Sequence, residues 1–284
     1  MENDLKTPFR YYTDLTICGT YIERRDFEYS RIAGGGSMAN MKREYNKELR
    51  IFKNEIFPCQ QALDFSTKVA FARWDNVARA RRQIFLLVNG NYSERALFIR
   101  LSFAPEFYDD SPVMAWRHFR VFIRNYSVYL FGKKNKIKCV AVCERGEKTK
   151  RLHFHLVFLN PPEKIFDHDL FLAKNKQNEF SSVAQVWKFG QVDVRDAGRT
   201  KDGEKSVDDL GAYIAKYLVP DARPKGAVSY FSSRNLARPE KIYTQEKVLA
   251  RLNTLDYNIV RTESHNYNNG SVQKIICKKK QLVK

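Results

Sequence analysis

The sequence predicts an α+β fold, an antiparallel sheet with helices packed on it and basic regions on both flanks. Three observations predict it. Between Arg95 and Pro220, short runs of apolar residues alternate with period two, as strands require, and longer runs repeat at helical spacing. The order of those runs is β-α-β-β-α-β-α. Beyond Pro220 the chain turns polar, basic and rich in Tyr and Asn, and these patterns fade.

The first part, residues 1–90, reads as an accessory region that is partly helical. Arg31-Ile-Ala-Gly-Gly-Gly-Ser-Met38 is a linker; its glycines are not followed by the Gly-Lys-Ser/Thr of a phosphate-binding loop. Asp64 to Val88 has few breakers and reads as a helix. Its cationic cluster, Arg79, Arg81 and Arg82, suits either DNA contact or simple solvation.

Residues 91–220 carry the clearest signal. Leu97 to Phe103 is a strand with Leu97, Ile99, Leu101 and Phe103 on one face. Ser111-Pro112 supplies an N-cap and a proline at the first helical position. The stripe Trp116, Phe119, Ile123, Tyr126 and Leu130 then packs a helix on the sheet as core. Ile137 to Glu144 and His153 to Leu159 are the next strands, joined by a basic turn of Arg145, Lys148, Lys150 and Arg151 that suits DNA. Asp167 to Val186 reads as a helix and Gln191 to Arg195 as a short strand. Ser206-Val-Asp-Asp209 starts a last helix, with a serine cap and acids in the first turn, and Pro220 ends it.

Residues 221–284 form a basic C-terminal region expected to be partly disordered. From residue 220 onward there are 13 Lys and Arg against 5 Asp and Glu, so this flank supplies 8 of the net charge of +18. Lys278, Lys279 and Lys280 near the end read as a tail that holds a polyanion.

Composition narrows the function classes. A length of 284 residues suffices for one sizeable core with appendages or for two small domains. A hydrophobic content of 43% excludes wholesale disorder. The net charge of +18 suits a polyanionic partner, the alternative being charge that serves solubility alone. Met1-Glu-Asn-Asp-Leu-Lys lacks the charged-then-apolar order of a signal peptide, and Ile84-Phe-Leu-Leu-Val88 is too short to span a bilayer. A cytoplasmic protein with no membrane partner is therefore expected. Cys18, Cys59, Cys139, Cys143 and Cys277 include no Cys-x-x-Cys pair and read as buried thiols in a reducing compartment.

The chemistry is concentrated at two places. His153 and His155 lie two apart on a strand, so both imidazoles leave one face while Leu152, Phe154, Leu156 and Phe158 leave the other. Glu144, at the end of the preceding strand, completes a candidate metal set, with Glu147 as a weaker third ligand. In Gly211-Ala-Tyr-Ile-Ala-Lys-Tyr-Leu218, Tyr213, Lys216 and Tyr217 share one side of a helix. A phenol, with a pKa near 10, is a poor nucleophile at pH 7 and needs a neighbouring cation, which Lys216 or a metal would supply. The plain reading makes the histidines satisfied strand residues and the tyrosines packing residues.

His-hydrophobic-His followed by Tyr-x-x-Lys-Tyr resembles the HUH endonuclease superfamily, and within it the rolling-circle replication initiators of small plasmids and single-stranded-DNA phages. The strand Leu97 to Phe103 sits where those initiators carry their first motif. The resemblance covers about Arg95 to Pro220. It implies a ferredoxin-like, RRM-like HUH core. It also implies a divalent cation, Mg²⁺ or Mn²⁺, on His153, His155 and Glu144, and attack by Tyr213 that leaves a 5′-phosphotyrosine and a free 3′-hydroxyl. Tyr217 resembles the second tyrosine of phage-type initiators, and Lys216 the cation beside the nucleophile. The implied partners are single-stranded DNA at a replication origin, a host DNA polymerase and, because no Walker-type loop occurs in the sequence, a separate helicase. An HUH transposase or mobilisation relaxase is the nearest alternative. A non-catalytic nucleic-acid-binding protein is the alternative of another class.

Overall fold

The computed structural model describes residues 9–33, 65–92, 95–107, 111–146, 151–197, 199–200, 203–204, 207–218, 230–267 and 270–279. Contacts divide the chain into two compact units. One takes in Met1–Ile17, Tyr21–Arg73 and Glu240–Lys284; the other takes in Cys18–Thr20 and Trp74–Pro239. The expected three-part division is therefore not the division by contacts, because the first and last parts contribute strands to one sheet.

That sheet is built from β1 (Phe9–Cys18), β2 (Tyr21–Ala33), β10 (Glu240–Tyr243), β11 (Tyr257–Tyr267) and β12 (Gly270–Lys279), in the order β10-β1-β2-β12-β11. Leu15, Ile17, Ile22 and Cys277 form its apolar side, with Val248 and Leu252 of helix α6 (Gln245–Asn253) in the same cluster. On the alternate positions, Arg25 donates to Asp14, and Lys274 pairs with Glu23 and Glu263. The disordered ending expected at Lys278 and Lys279 is corrected here. Both lie in β12, where Lys278 pairs with Tyr21 of β2 and with Asn258 of β11, and Lys279 with Tyr257. Lys280 lies outside the described residues.

The second unit holds the β-α-β-β-α-β order. Its sheet runs β6-β3-β5-β4-β9, all antiparallel, from β3 (Leu97–Ser102), β4 (Cys139–Arg145), β5 (Leu152–Phe158), β6 (Val192–Asp196) and β9 (Tyr230–Ser232). The four strands β6-β3-β5-β4 have the ferredoxin-like arrangement, in which β5 inserts between β3 and the strand that follows its crossover helix. The expected α+β class holds.

That crossover helix, α2 (Pro112–Phe131), starts where the sequence places it. Ser111 accepts a hydrogen bond from Met114 N at 3.4 Å, and Pro112 occupies the first turn. Gly132, at φ 63°, closes the helix in the left-handed conformation that glycine adopts without a Cβ penalty. The expected aromatic stripe is core: Phe119 stacks on Phe154 of β5 at 4.6 Å, and Trp116 meets the same ring edge-on.

One expected helix is in fact two. Asp167 to Val186 divides into α3 (Glu163–Lys174) and α4 (Ser182–Val186), because Lys176 turns through φ 60° and Asn175 ends the first piece. Asp169, fully buried, accepts from Ser182 N and Oγ and so anchors the start of the second. The opposite face of the sheet is covered by α1 (Phe65–Asn91) and α5 (Val207–Ala215), with Ile84, Leu87, Val88, Leu210 and Ile214 against Val140, Val142 and Val157. Among the described residues, the expected polar loop after β6 includes a short ribbon, β7 (Arg199–Thr200) with β8 (Gly203–Glu204). Among the described residues no helix is long and apolar enough to cross a membrane.

Candidate metal and tyrosine site

Strand alternation builds the site. Leu152, Phe154, Leu156 and Phe158 of β5 enter the α2-side core, so His153 and His155 project from the face that α1 and α5 cover. The register pairs His153 with Glu144 and His155 with Val142 of β4, which sets the carboxylate beside both rings. Glu144 Oε1 lies 2.8 Å from Nε2 of each histidine. Burial would raise the Glu144 pKa, but its hydrogen bonds to His153 and His155 and the charge of those rings outweigh it and hold the carboxyl at about 2. His155 is shifted the other way. Burial, assisted by His153 and Arg100, pulls it below its ordinary value against the pull of Glu144, so this imidazole is neutral at pH 7. Its Nδ1 is buried without a hydrogen-bond partner. A neutral ring then carries its hydrogen on Nε2, where Glu144 accepts it.

The donor atoms of Glu144, His153 and His155 all lie within 4.8 Å of one another. Two imidazoles and a carboxylate form a set that fits a divalent ion of the Mn²⁺ or Mg²⁺ kind and leaves positions open for other oxygens.

The tyrosines sit against this set. Tyr217 stacks on His155 with ring centroids 3.7 Å apart and planes at 8°. Its hydroxyl donates to that of Tyr213 at 2.8 Å, so the two phenols share one side of the helix end, as expected from their spacing. Lys216 Nζ lies 4.0 Å from the Tyr213 ring centre and 5.0 Å from that of Tyr217. Tyr217 is not in regular helix. α5 ends at Ala215, and Tyr217 N donates to Ile214 O in a tightened last turn. Burial, then the hydrogen bond to Tyr213, raises the Tyr217 pKa well above its ordinary value, with Arg195 opposing.

Several residues at the site stand outside the sequence motifs. Phe98 of β3 lies 5.6 Å from His155, 5.3 Å from Tyr213 and 6.5 Å from Tyr217, centre to centre. Arg100 pairs with His155 across the strands, and its Nη2 lies 3.5 Å from Asp193 Oδ2. Arg195 also donates to Asp193, at 2.7 Å. A signal for the first two is present in the sequence: with Leu97, Ile99 and Leu101 facing the core, Phe98 and Arg100 must share the histidine face. Gly211 is a further case. A Cβ there would come within 2.7 Å of Asn89 Oδ1 and 2.9 Å of Phe85 O, while Gly211 N donates to that same Asn89 oxygen. The missing side chain lets α5 lie close on α1.

Of the expected DNA-binding turn, Arg145 and Arg151 are placed at the ends of β4 and β5, where Gly146 N donates to Arg151 O at 2.9 Å. Lys148, Lys150 and Glu147 lie outside the described residues.

Comparison with known proteins bears on this segment. Residues 97–222 match the model of the family described as replication-associated protein ORF2/gene II protein. The chain is also 31% identical over 114 residues to the replication-associated protein ORF4 of Chlamydia phage 1, an alignment covering 37% of this chain and 26% of that protein. The chain thus aligns with about a quarter of the length of that relative. No solved structure matches. The matched stretch runs from β3 through the histidine strand to just beyond the tyrosine helix, and over residues 97–222 the chain belongs to this replication-associated protein family of rolling-circle replication initiators.

Proposed function

We propose that this protein starts rolling-circle replication as a metal-dependent, site-specific nickase and strand transferase acting on single-stranded DNA at its origin. The observation that carries this reading is the stacking of Tyr217 on His155, which ties the tyrosine pair to the carboxylate–imidazole set. His153, His155 and Glu144 would hold a divalent cation, Mg²⁺ or Mn²⁺, and bound there it supplies Lewis-acid polarisation of the scissile phosphate.

Tyr213 is the first nucleophile. Its oxygen accepts the hydrogen bond from Tyr217, which favours the phenolate, and Lys216 brings its positive charge nearest to that ring. Tyr217, with its raised pKa, stays protonated and acts as the donor. The Tyr213 oxygen attacks phosphorus and its proton passes to water. The P–O3′ bond breaks, and O3′ leaves with the electron pair and takes up a proton. The products are a 5′-phosphotyrosine on the protein and a free 3′-hydroxyl that primes a host DNA polymerase, with a separate helicase opening the duplex. In a later turn the tyrosines exchange roles and pass the strand.

The test is peptide mapping by mass spectrometry of the covalent adduct formed with single-stranded DNA from the element's own origin. Attachment to Tyr213 is expected. Attachment found solely on Tyr217 overturns the order of attack, and attachment to neither rejects tyrosine catalysis.

A further inference from the structure

A second charged feature lies on the other face of the same sheet. A cleft of about 600 Å³ is bounded by α2 and by the segment that follows β9. Arg120 and Arg124 reach it from successive turns of α2, and Arg234 from the far side. All three are exposed, and no Asp or Glu lines the cleft. Among the described residues none of these guanidiniums forms an ion pair. Three like charges around one opening repel one another unless an anion lies between them, and planar guanidinium groups match phosphate oxygens in geometry.

The floor is apolar, made by Ile123, Ile137 and Phe231, of which Phe231 packs edge-on against Phe119 of the core. The walls are fixed. Ser127 Oγ donates to Lys133 O at 2.7 Å and accepts from Lys136 N at 2.9 Å, and Asn235 Nδ2 donates to Asn135 O and Lys136 O. A preformed cleft of this volume, cationic at the rim and apolar at the base, has the size and chemistry of a site for one nucleotide unit. Because Phe231 belongs to the α2-side core while His153 and His155 project from the α5 side, the cleft is separate from the tyrosine site.

We infer that this cleft is a second DNA-binding site, which holds the sugar–phosphate backbone of the DNA beside the cleavage position through Arg120, Arg124 and Arg234. The assignment of DNA as occupant rests on the proposed function; the anion-binding character rests on the cleft alone. The phosphate engages the arginines, and the sugar or base covers the apolar floor.

The experiment compares the full-length protein with an Arg120→Ala/Arg124→Ala/Arg234→Ala variant, using fluorescence anisotropy on a long origin oligonucleotide over a salt series. All three positions are exposed, and circular dichroism checks that the variant folds. The expected result is DNA binding weaker by about tenfold or more, with a log–log salt slope shallower by about 0.7 to 0.9 for each phosphate that the variant no longer holds. Adduct formation on a saturating short oligonucleotide spanning only the nick should persist. Unchanged affinity and slope overturn the cleft as a DNA site, while a Tyr213 adduct would leave the proposed function standing. A labelled mononucleotide that binds the parent and not the variant, with the DNA slope unchanged, would assign the cleft to free nucleotide and reject the inference. A parent protein that binds no DNA rejects both.

Discussion

The two five-stranded sheets both place charged groups on alternate strand positions, and they treat them differently. In the sheet of β1, β2 and β10 to β12, charges answer one another: Asp14 with Arg25, and Glu23 and Glu263 with Lys274. Each of these carboxylates faces a permanently charged cation across the strands. In the sheet of β3 to β6 and β9, Glu144 shares one oxygen between two imidazoles, one of them neutral, and phenols complete the set. Charges matched by opposite charges hold strands in register. A carboxylate matched by neutral nitrogen donors is a ligand set. Substitutions in the first sheet should therefore reach stability, and those in the second should reach chemistry.

The largest effect should come from His155→Ala. Removing one of three donors forfeits several kcal/mol of transition-state stabilisation, and adduct formation should fall by about a thousandfold or more. Folding should survive, because Phe154 and Leu156 on the other face are untouched. Single-turnover adduct kinetics with a melting curve of the same sample check both halves; a variant that is inactive because it is unfolded breaks the distinction between the sheets.

Asp14→Ala is the counterpart. Asp14 is 2% exposed, and its loss leaves Arg25 without its closest partner. The cost should be about 3 kcal/mol, at the low end for a broken buried pair because Arg25 is partly solvated. Denaturant melts should show this loss while adduct yield at low temperature is kept.

Gly211→Ala probes how the helix is held. The new Cβ meets Asn89 Oδ1 and Phe85 O, so α5 must shift away from α1 and carry Tyr213 with it. Since misplacement by about 1 Å can cost about a hundredfold, adduct formation should slow by about ten- to a hundredfold with tyrosines and histidines intact. An unchanged rate would show that the close approach of the helices does not position the nucleophile.

The smallest effect concerns Cys143, next to Glu144 in sequence but on the opposite face of β4. Burial, aided by Glu144 and opposed by Arg145, raises its thiol to about 12. A thiol whose folded pKa exceeds its unfolded value contributes stability that is full below the unfolded pKa and is lost as pH rises through the alkaline range. Residue-resolved alkylation at pH 8 should leave Cys143 unmodified in the native protein and label it in denaturant.

The core that carries the histidines and tyrosines was legible because its strands alternate cleanly and its helix is bounded by Ser111-Pro112 and Gly132. The same alternation that revealed His153 and His155 also places Phe98 and Arg100, which become readable once the strand's core face is known. The other sheet was not legible. Runs such as Glu23-Arg24-Arg25-Asp26 read as solvated polar chain, and their partners lie more than two hundred residues away in β12. Lysines 278 and 279 looked like tail for the same reason: backbone pairing, not side-chain pattern, makes them strand. The break between α3 and α4 depends on a left-handed Lys176, a conformation that its residue type does not announce.

The central claim is that the Glu144–His153–His155 set acts through a bound divalent cation. The most direct measurement is the yield of protein–DNA adduct on origin single-stranded DNA with Mn²⁺ and with EDTA, for the unaltered protein. The account predicts adduct with Mn²⁺, none with EDTA, and recovery when Mn²⁺ is restored. Full yield in EDTA would contradict it.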